Sequence, residues 1–246
     1  MRVYLNSVSG VDDAMVSLLM SKRTWTREKE EQIRRLVGEN LTREGFLDNP
    51  DRRFLSEVDK LIKYGVQYGH TTLLRFIDLS YTVEGLHRGA QDDFDSHAKR
   101  LDNRIVRSST RLATFENGEK SDYYEGKIIY PFDLCKELGI ELPDEITKNG
   151  KTYSRVHFGY IDQSFVGTKE ENDVRRGLYP LGIPSNFIFK AQLPEFAHIV
   201  QHRDHKSEAN PELIEMIESA KEQLTQKFEP LGKQLVKIKM QSYKED

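Results

Sequence analysis

The order of apolar and polar positions predicts a strand followed by a helix near the middle of the chain. Between residues 75 and 83, apolar side chains occupy every second position, which is the period of a strand with one buried face. These positions are Ile77, Leu79, Tyr81 and Val83. From about Asp92 the apolar period lengthens to three or four residues, as expected of a helix that buries one face. The helical positions are Phe94, Ala98, Leu101, Ile105 and Leu112.

Similar patterns predict the elements on either side. The N-terminal third is predicted to contain one strand and three helices, at residues 2–8, Val11–Lys22, Arg27–Leu41 and Arg53–Tyr68. In the middle, the turn Asn149-Gly150 precedes a predicted strand over Lys151–Tyr160. The last third predicts a helix at Leu193–His202 and a longer helix that starts after Asn210 and runs through Leu231.

A row of arginines follows the helical period on a neighbouring face of the helix predicted from Asp92. Its members are Arg100, Arg104, Arg107 and Arg111. A solvated face is the ordinary interpretation of such a run of charge. After Asp102, however, few acidic residues lie four positions away, so the arginines repel one another unless an anion lies between them. Because the row ends in the hydroxyl-rich segment Ser108-Ser109-Thr110-Arg111, it suits a phosphate group.

Composition narrows the class of protein. The 246 residues are enough to bury a proper hydrophobic core. A formal net charge of -3 with 31% charged residues gives no global bias toward nucleic acid. No apolar run has the length of a membrane span and no signal-peptide pattern follows Met1, so the expected compartment is the cytoplasm. The one cysteine, Cys135, excludes an internal disulfide framework and is predicted to be structural.

The motifs of familiar hydrolases, kinases and dehydrogenases are missing from the sequence, which has no nucleophile elbow, P-loop, GxGxxG or HExxH. His198, His202 and His205 have the i, i+4, i+7 spacing that a helical metal site would use. We predict no metal there, because the helix is expected to end near Arg203 and no carboxylate or cysteine completes the set. The remaining arginines, hydroxyls and amides suit an anionic nucleotide, with a cofactor performing the redox step.

One long segment resembles the core of the flavin-dependent thymidylate synthases. It begins with His70-Thr71-Thr72 and continues through the strand that ends in Val83-Glu84-Gly85. The helix that follows contains His97, and the segment closes with Ser109-Thr110-Arg111. That family runs from an HxT/S turn through a strand into a helix with an R-H-R…S-x-R-Y signature.

Two later segments extend the resemblance in the same order as in the family. In residues 173–181, Arg176 matches the arginine that reaches the nucleotide phosphate. In residues 203–212, Arg203 matches the arginine that contacts the pyrimidine ring and favours its ionised form. Three segments in order are hard to obtain by accident, and each includes an arginine.

The resemblance implies a fold and a reaction. The expected fold is α+β, with a central mixed or antiparallel sheet flanked by helices, in a single domain over 1–246 whose middle segment, 114–170, diverges. The expected reaction is reductive methylation of C5 of dUMP, with methylenetetrahydrofolate as carbon donor and FAD, reduced by NADPH, as hydride source. The expected assembly is a homotetramer that binds a small-molecule nucleotide and neither a membrane nor nucleic acid.

The resemblance also assigns roles to individual residues. Those implied to bind the substrate phosphate and sugar are Ser109, Arg107, Arg111 and Arg176. Arg203 is implied to be the catalytic residue, because it stabilises negative charge on the ring. Those implied to line the flavin are Thr72, Ser96, His97, Gln192 and His198.

Departures from the family pattern keep two alternatives open. Ser96-His97-Ala98 replaces Arg-His-Arg, Pro194 replaces an arginine of the flavin helix, and Arg75 replaces an acid. The first alternative is a divergent methylase or hydroxymethylase of another pyrimidine nucleotide, which the changed middle segment favours. The second is a non-catalytic relative that binds a nucleotide and has lost the flavin.

Overall fold

The computed structural model describes residues 1–95, 104–109, 119–203 and 210–238. The chain divides into two compact units, which we call the first and second units. The first unit comprises Met1, Glu84–Asp95 and Arg107–Asn186. The second unit comprises Arg2–Val83, Ser96–Val106 and Phe187–Asp246.

The described residues form helices and strands in an α+β arrangement, as the sequence predicted. The strands are β1 (Arg2–Ser9), β2 (Asp78–His87), β3 (Arg104–Arg107), β4 (Glu145–Lys148), β5 (Lys151–Val156), β6 (Gly159–Asp162) and β7 (Pro184–Gln192). The helices are α1 (Val11–Ser21), α2 (Arg27–Asn40), α3 (Arg52–Ile62), α4 (Arg88–Asp95), α5 (Pro131–Glu137), α6 (Glu171–Arg176), α7 (Leu193–His202), α8 (Pro211–Lys227) and α9 (Glu229–Gly232). One sheet has the strand order β1-β2-β7-β3, and a second has the order β4-β5-β6. No helix in the described ranges is long and apolar enough to cross a membrane.

Several predicted elements of the second unit are confirmed. β1, α1, α2, α3 and α7 begin and end within a few residues of the predicted bounds, and a π-helical turn at Lys63–Gln67 extends α3. Side-chain caps fix two helix starts, because Thr26 accepts a hydrogen bond from the Lys29 amide and Asp51 accepts one from the Phe54 amide. Asn210 caps α8 in the same way, but α8 ends at Lys227, before the predicted Leu231.

The predicted alternation from Ile77 into β2 places one apolar face in the core of the second unit. The four side chains are fully buried, at 0% exposure: Ile77, Leu79, Tyr81 and Val83. The Tyr81 ring stacks on Phe189 and Phe196, with centroids 5.0 and 5.2 Å away. Its hydroxyl donates to the Ala220 carbonyl at 3.0 Å, and burial raises the pKa of Tyr81 well above its usual value. The strand thereby joins β7, α7 and α8 in one core.

A short 3-10 helix at Thr71–Phe76 leads into β2, and a glycine supports it from behind. Gly10 has φ +78°, and a Cβ atom added there would lie 1.9 Å from the Phe76 carbonyl oxygen. Any other residue would therefore combine a strained backbone with a steric clash. This close approach fixes the end of the 3-10 helix against the start of α1.

The first unit contains α4, α5, α6 and the antiparallel β4-β5-β6 sheet. The predicted turn at Asn149-Gly150 is confirmed, because Lys148 pairs with Lys151 across it. The prediction of one strand over Lys151–Tyr160 is wrong in its second half. The chain turns back after Val156, and Val156 pairs with Gly159 at the start of β6.

The helix predicted from Asp92 to Leu112 is confirmed over Asp92–Asp95, which belong to α4, and is wrong at Arg104–Arg107, which form a strand. Residues 96–103 and 110–112 lie outside the described residues. Ile105 and Val106 are β-branched, and the Ser108 amide donates to the Asn186 carbonyl at 2.8 Å, so the backbone is paired with its neighbour in the sheet. The predicted row of arginines on one helix face is therefore not formed at Arg107, which lies in a strand.

Candidate functional site

Arg107 lies at the end of β3, where the carboxylates of α4 hold it. Its Nη1 atom is 2.7 Å from Asp92 Oδ1, and its Nη2 atom is 2.6 Å from Asp95 Oδ2. Nη2 also donates to the Gln91 carbonyl at 3.2 Å. The side chain is only 16% exposed. These contacts fix the guanidinium against the last two turns of α4, so its position is set before any ligand binds.

Arg88, the first residue of α4, is a candidate that the sequence reasoning missed. Its Nε atom is 3.9 Å from Asp92 Oδ1, and its Nη1 atom is buried without a hydrogen-bond partner in the described part of the chain. Burial lowers the pKa of Arg88, and the positive charges of Arg107 and Arg176 lower it further. The i,i+4 relation of Arg88 to Asp92 was the available signal. The helix was predicted to start later, so this signal went unused.

Arg176 is the last residue of α6 and belongs to the same unit. Its Nη1 atom is 3.3 Å from Asp173 Oδ1, and the side chain is 41% exposed. It lies close enough to Arg88 to affect the pKa of that residue. We call Arg88, Arg107 and Arg176 the arginine cluster. Ser109 is exposed and follows Arg107 by two residues.

The second unit brings Thr72 and Gln192 into one neighbourhood. Thr72 is an exposed residue of the 3-10 helix, and Gln192 is the residue before α7. Arg75, three residues after Thr72, donates from Nε to Gln192 Oε1 at 2.9 Å. The Leu193 amide donates to the Ile77 carbonyl at 2.8 Å and joins the two segments through the backbone. We call Thr72, Arg75 and Gln192 the turn-helix cluster.

The other predicted residues of the second unit lie along α7. His198 is half-buried, and its ring centroid is 3.9 Å from that of His202. The Nδ1 atom of His202 is 2.9 Å from the His198 carbonyl. Arg203 follows the last turn and closes it, because its amide donates to the Ile199 carbonyl at 3.0 Å. The helix end predicted near Arg203 is confirmed, and His205 lies outside the described residues.

The structure divides the predicted site residues into three sets. Arg107, Arg176 and Ser109 belong to the first unit. The predicted residues of the second unit that the structure describes are Thr72, Gln192, His198 and Arg203. Ser96, His97 and Arg111 lie outside the described residues.

The fold is that of an α+β protein, and the side chains described above offer guanidinium, hydroxyl and amide groups. The model of the thymidylate synthase complementing protein family matches residues 13–229. The chain therefore belongs to that family, the flavin-dependent thymidylate synthases. Comparison with curated protein sequences gives no match.

Solved structures share the fold at low sequence identity. One is thymidylate synthase X from Helicobacter pylori with FAD and dUMP, which is 12% identical, with 96% of this chain and 100% of that chain covered and a TM-score of 0.53. Another is the UMP/dUMP methylase PolB from Streptomyces cacaoi bound with 5-Br dUMP, also 12% identical, with 94% and 93% covered and a TM-score of 0.52. At these identities the likeness establishes the fold alone.

Proposed function

We propose that the protein is a flavin-dependent enzyme that methylates C5 of a pyrimidine nucleotide, converting dUMP to dTMP. Methylenetetrahydrofolate would supply the carbon, and FAD reduced by NADPH would supply the hydride. The arginine cluster, in a chain of this family, is the observation that carries the proposal. The bound dUMP in the Helicobacter pylori structure supports the choice of nucleotide.

In this proposal the arginine cluster binds the nucleotide phosphate. Arg107 and Arg176 supply charge, as Arg111 is predicted to do, and Ser109 supplies a hydroxyl donor. Arg88 adds a donor that now lacks an acceptor among the described residues. A buried donor without a partner is costly, so an oxygen acceptor placed there would stabilise the complex.

Arg203 acts on the pyrimidine ring. Its guanidinium stabilises negative charge that develops on the ring during reaction at C5. Fixed positive groups of this kind are more effective in the transition state than in the ground state, which is why they raise turnover. No cysteine is required to attack the ring in this scheme.

Thr72 and Gln192 of the turn-helix cluster, together with His198 of α7, fit a flavin. The Thr72 hydroxyl, the Gln192 amide and the His198 ring are hydrogen-bonding groups of the kind that hold flavin carbonyls or phosphates, and Ser96 and His97 would join them. FAD supplies the redox chemistry when it is bound. We also expect a cytoplasmic homotetramer, as the resemblance implies, with a free nucleotide rather than nucleic acid as ligand.

The test is conversion of dUMP by the purified protein with FAD, NADPH and methylenetetrahydrofolate, followed by chromatography of the nucleotides. Formation of dTMP that depends on each component is the expected result. Absence of dTMP from a preparation that binds FAD would contradict thymidylate synthesis.

A second candidate is methylation or hydroxymethylation of another pyrimidine nucleotide. The β4-β5-β6 sheet favours it, because this sheet is built from the segment that diverges from the family pattern. The Streptomyces cacaoi relative acts on UMP as well as dUMP. Parallel assays with UMP and dCMP, with products identified by mass, separate the two candidates. A product from one of these nucleotides, with none from dUMP, would select the second.

A further inference from the structure

We propose that Arg75 is a positioning residue that fixes the side-chain amide of Gln192 with its NH2 group turned toward the ligand. The site around Gln192 then takes a hydrogen-bond acceptor. The identity of that ligand as FAD rests on the proposed function, but the orientation of the amide does not.

The chemistry of the contact assigns the two ends of the amide. The Nε–H of an arginine only donates hydrogen bonds, and of the two amide ends of a glutamine only the oxygen accepts them. Arg75 Nε lies 2.9 Å from Gln192 Oε1, so the oxygen is committed to Arg75. The NH2 group must then face the other way. Among the described residues, no acceptor forms a hydrogen bond with this NH2 group, and Gln192 is half-buried.

Contacts within the protein hold the segments that carry Arg75 and Gln192, and they need no ligand. The Leu193 amide, next to Gln192, is bonded to the Ile77 carbonyl, two residues after Arg75. An ion pair of 2.8 Å between Lys190 and Asp78 joins the neighbouring positions of β7 and β2. Gly10 packs against Phe76 from behind. The amide is therefore oriented in advance, which reduces the entropy lost when a ligand binds.

The contact between Arg75 and Gln192 restores a positive charge at the start of α7, where the sequence implied that one was missing. Pro194 cannot replace the arginine that the family pattern places there, and this departure suggested a loss of binding groups. The structure brings a guanidinium to the start of α7 from the 3-10 helix instead. This guanidinium belongs to Arg75, the residue that replaces an acid of the family pattern. In oxidised FAD, the ring carbonyls, ring nitrogens N1 and N5, and the diphosphate oxygens are acceptors of the required kind.

The decisive variant is Gln192→Glu, which keeps the shape of the side chain but replaces the NH2 donor with an oxygen. Its carboxylate still accepts from Arg75, so the thermal midpoint of the flavin-free protein should be unchanged or raised. The affinity for FAD, measured by titration of the flavin absorbance, should fall at least about tenfold. Arg75→Gln should also weaken FAD binding, and Arg75→Lys should restore part of it. Arg53→Gln, in an exposed part of α3, is the matched control.

The two proposals fail in different ways. If the wild type binds FAD and the Gln192→Glu and Arg75→Gln variants bind it equally well, the positioning role is overturned. If the wild type binds no FAD, the proposed function loses its cofactor, and the orientation is then decided by NMR of the ligand-free protein. The Arg75 Nε–H should exchange slowly, and Gln192→Leu should abolish that protection. Exchange as fast as that of Arg53 would overturn the inference.

Discussion

Two neighbouring arginines at the end of α6 have different environments. Arg175 is held by Glu171, with contacts of 2.8 and 2.6 Å, and its side chain is 23% exposed. Arg176 has one longer contact, to Asp173, and is 41% exposed. Arg176 is therefore the one with donors to spare for a ligand, and it is the one that affects Arg88.

Arg176→Ala should weaken dUMP binding by about ten- to a hundredfold, because charge-assisted hydrogen bonds to a phosphate are lost. Arg175→Ala is the control and should change the affinity less than about twofold, although it removes an ion pair within α6. Isothermal titration calorimetry with dUMP measures both. Equal losses in the two variants would mean that the arginines act only through helix stability.

Arg203→Ala should reduce turnover of dUMP by about a hundredfold, because the variant loses the positive group that we propose stabilises the developing charge. Stability should change little, since the backbone bond from Arg203 to Ile199 that closes α7 remains. Steady-state kinetics and a thermal melt measure the two effects separately. Turnover equal to the wild type would remove Arg203 from its catalytic role.

At the scale of elements, Gly10 lets the start of α1 lie directly against the end of the 3-10 helix. Gly10→Ala should lower the free energy of unfolding by about 2 kcal/mol or more, because φ is +78° and the new Cβ atom would meet the Phe76 carbonyl. Gly38→Ala is the matched control in α2, where an added Cβ atom meets nothing within 4 Å. That change should stabilise by about 0.5–1 kcal/mol. Urea denaturation compares them, and equal effects would contradict the steric argument.

The ion pair between Lys151 of β5 and Asp162 of β6 should make the pairing of these strands depend on pH. The hydrogen bond from Lys151 at 2.8 Å, with bonds from Ser164, lowers the pKa of Asp162 from 3.8 to about 2. Because the folded pKa is depressed, the stabilisation is complete above the unfolded value and is lost as the pH falls from about 4 to about 2. Hydrogen exchange of the β5 amides should rise over this interval relative to Asp162→Asn at the same pH. If the exchange rates of the wild type and of Asp162→Asn change with pH in the same way, the ion pair does not stabilise the strand pairing.

The sequence was sufficient to predict elements that bury one face, because their apolar residues then recur with a regular period. β2 alternates because one face is buried in the core, and α7 and α8 were predicted because their apolar stripes begin at a proline in the first turn. β3 was missed because four residues carry too little pattern, and its pairing with a distant strand decided its conformation. The Arg75–Gln192 bond joins residues 117 positions apart, so local sequence carries no signal for it. Of the arginine cluster, Arg107 and Arg176 were predicted and Arg88 was not.

At the scale of the whole molecule, we propose that the chain is one domain, as predicted. Among the described residues, the chain passes from one compact unit to the other within β2, β3 and β7. The proposed substrate residues Arg107 and Arg176 belong to the first unit, whereas Arg203 and the proposed flavin residues Thr72, Gln192 and His198 belong to the second. Residues of both units are therefore assigned roles in the proposed reaction.

The most direct test of the account is the visible absorption spectrum of the purified protein, reconstituted with FAD and then titrated with dUMP. We predict flavin bands that remain with the protein after gel filtration and that change when dUMP is added. The Arg176→Ala variant should need more dUMP for the same change. A colourless protein that cannot be reconstituted with FAD would contradict the account, and the protein would then be a nucleotide-binding relative without the cofactor.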